Sequence, residues 1–232
     1  MLNFNDFLDN QEAINEGVYD KNIFKAFFLA GGPGSGKSWV SARTLMGQGM
    51  KVINSDDGFE RYAKNAGLNL KKMGSFTAAQ TKKKDALRSR AKVGTAYMHQ
   101  HAIDGRLGMI LDSTARDTAR IESEAQSMRY LGYDTYMVFV NTTLEVALKR
   151  NELRPRSVPE PIVINSHRQI QKNIPKLRAI FGSKNFVEVD NSVEAEDVNI
   201  KVYKEIQKLV RSKPSSPMAQ AWINNELAKK RR

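Results

Sequence analysis

The eight residues Gly31–Ser38 constrain this chain more than any other stretch. They read GGPGSGKS and satisfy the phosphate-loop pattern G-x-x-x-x-G-K-[ST]. Before them, Phe24–Ala30 (FKAFFLA) is a short, aromatic-rich apolar run that predicts a buried strand. After them, Ser38–Leu45 predicts a helix. Glycines at 31, 32, 34 and 36 open backbone conformations closed to residues with a Cβ, so that successive N–H groups can turn towards one anion. The N-terminus of the following helix adds its positive dipole end. Lys37 is placed to reach the β- and γ-phosphates of a nucleotide, and the Ser38 hydroxyl to ligate Mg²⁺. The candidate nucleotide contacts are therefore Gly32, Gly34, Ser35, Gly36, Lys37, Ser38 and Trp39, the Trp39 ring reading as packing rather than as a base-stacking platform.

The remaining chain repeats this alternation. Strands are expected over Met50–Asn54, Leu107–Asp112, Tyr133–Val140 and Asn185–Val189. Helices are expected over Phe59–Ala66, Thr77–Asp104 (with a break near Gly94), Ala115–Leu131, Thr142–Leu153, Ile162–Phe181 (bent or divided at Pro175) and Val193–Arg211. Five strands separated by helices imply an α/β fold of the phosphate-loop NTPase type, a parallel sheet with helices on both faces. Ligands of such sheets bind at the carboxyl ends of the strands. The expected organisation is a lead-in with an amphipathic helix over 1–23, one domain over 24–211, and a linker with a basic tail over 212–232. The domain carries a basic helical insertion at 68–104 and a proline-rich lid at 150–161 (Arg154–Pro161 reads RPRSVPEP).

Composition narrows the class. The 232 residues contain no cysteine, which excludes disulfides and thiolate metal sites. No apolar run approaches membrane-spanning length and the N-terminus is polar and acidic, so a soluble, cytoplasmic protein is expected. The formal charge of +12 favours polyanions. Much of it sits in the insertion, where Lys71, Lys72, Lys82, Lys83, Lys84, Arg88, Arg90 and Lys92 are opposed only by Asp85.

Several residues outside the loop suit phosphoryl transfer. Asp112 ends an apolar run, where phosphate-loop proteins place an acid for Mg²⁺; an ordinary strand-end Asp would cap the next helix instead. Asp56 and Asp57 follow the second strand. A kinase acting on an alcohol needs a carboxylate there to orient and deprotonate the hydroxyl, although both positions also suit helix N-caps. Arg150, Arg154 and Arg156 surround the proline-rich turn, where a closing segment can neutralise the transferring group. His99, His101 and His167 show no metal spacing and read as structural or surface groups.

On these residues the chain resembles the phosphate-loop kinases of the polynucleotide kinase and zeta-toxin group, phage-encoded zeta-toxin-like proteins in particular, over Phe24 to about Val189. The polynucleotide kinases follow the phosphate loop with a strand ending N-x-D-D, a strand ending D-T-N, and a helix ending K-R-N before an arginine-bearing lid. The matching stretches here are Asn54-Ser-Asp56-Asp57, Asp112-Ser113-Thr114, and Lys149-Arg150-Asn151 followed by Arg154. The resemblance implies ATP and Mg²⁺ as cofactors, Asp56 as general base, Arg154 as the lid arginine on the phosphates, and Asp112 and Arg116 near the metal or the acceptor. Phe59 stands where those kinases carry an acceptor-binding arginine, with Arg61 two residues on. Asp57, Arg61, Arg88 and Arg116 are the candidate acceptor contacts.

Three readings follow. The first is an ATP-dependent kinase of a nucleic-acid hydroxyl, a 5′ end or a hydroxymethylated base of phage DNA, favoured by the basic insertion. The second is a zeta-like kinase of a nucleotide-sugar or other small metabolite, since zeta toxins phosphorylate a UDP-linked amino sugar and fold does not choose the acceptor. The third is a nucleotide-dependent ATPase switch. A GTPase is disfavoured because no N-K-x-D motif occurs.

Overall fold

The computed structural model describes residues 18–45, 48–154, 158–193 and 196–231. The helix expected within 3–17 and Arg156 of the lid lie outside them. Strands β1 (Lys25–Ala30), β2 (Lys51–Ile53), β3 (Met109–Asp112), β4 (Asp134–Asn141) and β5 (Phe186–Asp190) form one parallel sheet in the order β2-β3-β1-β4-β5. In register, Leu29 of β1 faces Asp112 of β3 and Val138 of β4, so β1 and β3 end within one residue of each other while β4 runs on to Asn141.

Parallel strands need crossovers, and the intervening helices supply them. Because side chains alternate along a strand, Phe27 and Phe28 feed opposite faces of the sheet. Helices α1 (Lys37–Thr44) and α7 (Glu196–Arg211) meet Phe27, Leu29 and Val138 on one face through Val40, Val202, Ile206 and Val210. On the other face Phe28, Met109 and Phe139 pack against α4 (Thr118–Tyr130) and α6 (Glu160–Phe181) through Ile121, Ala125, Ile170 and Leu177. Helices α2 (Ser55–Asn65) and α3 (Ala78–Asp104) pack on each other beside β2. The short α5 (Leu144–Glu152) follows β4, and α8 (Pro217–Lys230) closes the chain. None of the described helices is long and apolar enough to cross a membrane.

Four features depart from the sequence expectations. Helix α3 runs unbroken through Gly94, for one helical glycine costs only about 1 kcal/mol, and a complete Thr77–Gln80 capping box starts it. Helix α6 runs unbroken through Pro175, held by core residues on both sides of the proline, Ile170 and Leu177. It also begins at Glu160, so Pro161 lies in its first turn, where a missing N–H is harmless.

The segment read as a linker is docked. Lys25, fully buried in the apolar β1, donates from Nζ to Asp134 (2.9 Å), Tyr136 Oη (3.2 Å) and Ser212 Oγ (3.0 Å), and Ser215 donates its N–H and hydroxyl to Asp134. A buried ammonium must find such partners, and here two come from the neighbouring β4 while the third, Ser212, follows the last crossover. Beyond this anchor, Ala219 of α8 is buried in the core and Trp222 meets Phe24 edge-on at 5.7 Å. Helix α8 is thus docked on the core through one face, by Ala219, Trp222 and Ile223. Trp222→Ala is expected to destabilise the fold by about 2 kcal/mol in urea unfolding, below the ~3–5 kcal/mol of a fully buried aromatic because the indole is only partly covered.

Candidate active site

The phosphate loop leaves β1 at the centre of the sheet and enters α1 at Lys37. Two of its glycines are sterically required. Gly34 has φ 77° and Gly36 φ 84°; a Cβ at Gly34 would collide with the Ala147 carbonyl of α5, and one at Gly36 with the Asn191 carboxamide. Ser35 is buried, and its Oγ lacks a hydrogen-bond partner among the described residues. Lys37 donates to the Ser113 carbonyl (3.0 Å) and stands 3.3 Å from Asp112 Oδ1.

Two cavities meet over this loop. One, of about 530 Å³, runs along Gly31–Trp39 and is walled by Asp57, Glu60, Arg150 and Arg154. The other, of about 610 Å³, lies between α3 and α4 and is lined by Arg88, Lys92 and His99 on one side and Asp117, Arg120 and Glu124 on the other. Lys37, Asn54, Asp56, Asp112 and Thr114 line both. The strand ends thus converge as the fold type requires.

The two carboxylates at the junction are free of capping duty. Asn54 is the N-cap of α2, its side chain accepting from the Asp56 N–H at 2.8 Å, and Asp117 is the N-cap of α4, accepting from the Arg120 N–H at 3.0 Å. The alternative reading of Asp56, Asp57 and Asp112 as caps is thereby corrected: α2 begins at Ser55, earlier than periodicity indicates, and puts both acids in its first turn. Asn54 also donates to Asp112 Oδ2 (3.1 Å), while Asp112 Oδ1 is buried without a hydrogen-bond partner. Burial pushes the Asp112 carboxyl above its ordinary range; the Lys37 charge draws it down, and the Asp56 and Asp57 charges push it up again.

The remaining expected site residues divide. Arg88 reaches the junction, pairing with Asp56 at 2.5 Å while its guanidinium covers the Phe59 ring. Phe59, where the related kinases carry an arginine, is therefore the buried platform for an arginine delivered from another helix. Arg61 instead lies over Tyr62 and lines neither cavity. Asp57 falls on the phosphate-loop side. Arg116 opens onto a separate shallow depression with Gln169 and Asn173. Its loop is fixed by Asn173, which donates to the carbonyls of Ala115 and Arg116, and Ala115 holds a left-handed φ of 59°. Trp39 is capped by the Arg43 guanidinium 3.9 Å above its ring. His99 lines the α3–α4 cavity, held towards its neutral form by burial, against the pull of Glu124.

Sequence reading missed Asn191, and named Asn151 and Lys92 without giving either a place in the site. Asn191, buried just past β5, donates to the Ser35 carbonyl (2.8 Å) and accepts from Arg150 (2.6 Å), joining the phosphate loop to an arginine of its cavity. Asn151 clasps Val158 through both its carbonyl and its amide, pinning the far end of the proline-rich segment beside α5. The signal for Asn191 was its place at the carboxyl end of a strand; for Lys92, its spacing of four from Arg88.

Two outcomes are expected. Asn191→Ala should weaken nucleotide binding about tenfold by titration calorimetry, because it leaves the buried Ser35 carbonyl unpaired, while Arg150 keeps its main-chain acceptor at residue 191. Asp112→Asn should melt higher than the wild type at neutral pH. The native state holds the Asp112 proton more tightly than the unfolded chain, so stability is lost as pH rises from the ordinary aspartate range through the raised native value. Thermal melts of the two proteins should converge in acid, where the wild-type group is already neutral.

A family model described as Zeta toxin matches residues 15–213. Among solved structures the chain is similar to AvrRxo1-ORF1:AvrRxo1-ORF2 with sulphate ions (TM-score 0.55, 14% identity, covering 95% of this chain and 83% of that one). It is also similar to the PezAT chromosomal toxin–antitoxin system of Streptococcus pneumoniae (TM-score 0.52, 15% identity, covering 96% and 95%). At such identities these likenesses speak to the fold. No curated protein sequence matches the chain. With the phosphate loop, the parallel sheet and the two-cavity junction in place, the match over 15–213 identifies the chain as a phosphate-loop kinase belonging to the zeta-toxin family.

Proposed function

We propose that this kinase transfers the γ-phosphoryl group of ATP to an alcohol of an anionic small molecule seated between α3 and α4. The observation that carries this reading is the sharing of Asp56, Asp112, Lys37, Asn54 and Thr114 by the two cavities. A donor lying along the phosphate loop and an acceptor lying between the helices have one meeting point, and a carboxylate stands at it. The volume of about 610 Å³ falls within the ~300–1,000 Å³ of small-molecule sites. Within a lining of mixed charge, Arg88, Lys92 and Arg120 supply donors suited to a phosphate or carboxylate.

In this reading the loop N–H groups and Lys37 hold the triphosphate, Asp56 aligns the attacking hydroxyl and takes its proton, and Arg150 and Arg154 close on the phosphates. Mg²⁺ fits the donor set of the Ser38 hydroxyl and Asp112, whose buried Oδ1 lacks a hydrogen-bond partner. When bound, it would neutralise charge on the phosphate oxygens.

A nucleic-acid hydroxyl, the 5′ end or a modified base expected from charge, is the second reading. Lys82, Arg90 and Lys92 are exposed along α3 beside the cavity mouth and suit a phosphate backbone. Incubation with γ-labelled ATP and a panel of sugar phosphates, nucleotide-sugars, hydroxy acids, DNA and RNA separates the two. Label is expected on a small anionic alcohol; label on DNA or RNA alone would overturn the first reading. Lys37→Ala should abolish transfer. Asp56→Asn should lower it by about 10²–10⁴-fold while ATP still binds, the range a positioned base supplies.

A further inference from the structure

Arg88 bonds to the very carboxylate that the proposed mechanism uses as its base. The guanidinium sits on Asp56 Oδ1, and its position is fixed from behind by the Phe59 ring, 4.9 Å from the guanidinium carbon. Both partners remain partly open to solvent, with 34% of the Arg88 side chain and 50% of the Asp56 side chain exposed. The same guanidinium lines the α3–α4 cavity together with Lys92 and Arg120. One arginine therefore faces two competing anions: the base of the enzyme, and any anionic group entering the acceptor cavity.

We infer that Arg88 is an acceptor-responsive guard on Asp56, occupying the base while the acceptor cavity is empty and releasing it when an acceptor phosphate or carboxylate takes the guanidinium. This rests on the reading of Asp56 as the base. Exposed ion pairs hold weakly, whereas a phosphate or carboxylate can engage a guanidinium through two parallel hydrogen bonds and is helped here by Lys92 and Arg120. The exchange of partners therefore favours the loaded state without requiring a large movement of α3.

The device addresses a hazard of every kinase with an open acceptor site. When ATP is bound and the acceptor is absent, water can occupy the position of the alcohol. If Asp56 is available, it takes a proton from that water as the water oxygen bonds to the γ-phosphorus. The bond from the γ-phosphorus to the bridging oxygen breaks, and ADP and inorganic phosphate leave. With Oδ1 occupied by Arg88, one carboxylate oxygen is withheld from the water and this wasteful step is slowed. The guard thus couples the availability of the base to the presence of the molecule that should be phosphorylated.

The test needs no knowledge of the acceptor. Release of inorganic phosphate from Mg·ATP is measured without added acceptor for the full-length wild type, Arg88→Gln, Arg88→Lys, Asp56→Asn and the double variant Arg88→Gln/Asp56→Asn, with melting temperatures recorded in parallel. Arg88→Gln is expected to hydrolyse ATP about tenfold faster than the wild type, within the range a freed general base supplies. Arg88→Lys, which keeps the charge but not the planar fork, should lie between them, and the double variant should fall back to the rate of Asp56→Asn. An Arg88→Gln variant that melts like the wild type yet hydrolyses ATP no faster would overturn the guard. So would a rise that persists undiminished in the double variant, since it would not run through Asp56. A residue that only binds acceptor would lower transfer without raising hydrolysis. Failure of every alcohol in the labelling panel would count instead against the kinase reading of the acceptor cavity, and leaves the hydrolysis comparison interpretable.

Discussion

A phosphate cradle asks a backbone to aim several N–H groups at one point, a bend that has to be held from outside because its own residues are too small to hold it. Here the strand beneath the loop is the middle one of five, hydrogen-bonded to β3 on one side and β4 on the other. The loop itself is wedged between the Ala147 carbonyl of α5 and the Asn191 carboxamide beyond β5, contacts so close that only glycine fits at 34 and 36. Every other part of the site takes its position from this central placement: Asp112 comes from the neighbouring strand, Asp56 from the crossover beyond it, and Arg150 from the helix on the opposite side.

Hydrogen-bond economy then decides which acids are available for chemistry. Strand-end acids are usually taken up by the orphan N–H groups of the next helix. In this chain Asn54 and Asp117 accept those N–H groups, and the carboxylates of Asp56 and Asp112 are left for other partners. Asp112 is held half-satisfied, one oxygen on Asn54 and the other buried beside Lys37, an arrangement that raises the cost of its charge in the absence of a cation. A divalent cation at this carboxylate, as proposed, would relieve that cost.

The parts legible in the sequence were those written in local pattern. The alternation of apolar runs with helical periodicity gave five strands and the crossovers between them, and the GGPGSGKS run located the nucleotide end. Asp56, Asp112 and Arg150 were legible because each stands at a strand end or a helix end, where α/β sheets gather ligands. What escaped were contacts that join residues distant in the chain. Nothing near Lys25 announces that a lysine inside an apolar strand will find Ser212, 187 positions later, and the Pro-Ser-rich stretch around Ser215 reads as a linker until that ammonium is seen to need it. The Phe59 position misled in the same way. A local comparison places the acceptor arginine on α2 and so points to Arg61, whereas the arginine that the fold brings to Asp56 is Arg88 of α3, supported by Phe59.

The acceptor cavity shows how two helices with little amphipathic character in sequence can still build a directional site. Residues 88, 92, 95 and 99 recur along one stripe of α3 and face 117, 120, 121 and 124 along one stripe of α4. At 1.5 Å per residue the first stripe spans roughly 16 Å, and its chemistry changes along that length. The end at Asp56 is of mixed charge, carrying Arg88, Lys92 and Arg120 beside the carboxylates of Asp56, Asp112 and Asp117. The end at His99 has an imidazole kept towards neutrality by burial and the carboxylate of Glu124 nearby. A short molecule with its anionic group near the reacting alcohol, and a neutral hydrogen-bonding group some distance away, meets complementary partners along the whole slot. The basic charge that draws attention to α3 in the sequence is therefore divided by the fold into an outer, solvated portion and an inner portion of only a few groups. It is the inner portion, set against Asp56, on which the proposed choice of alcohol rests.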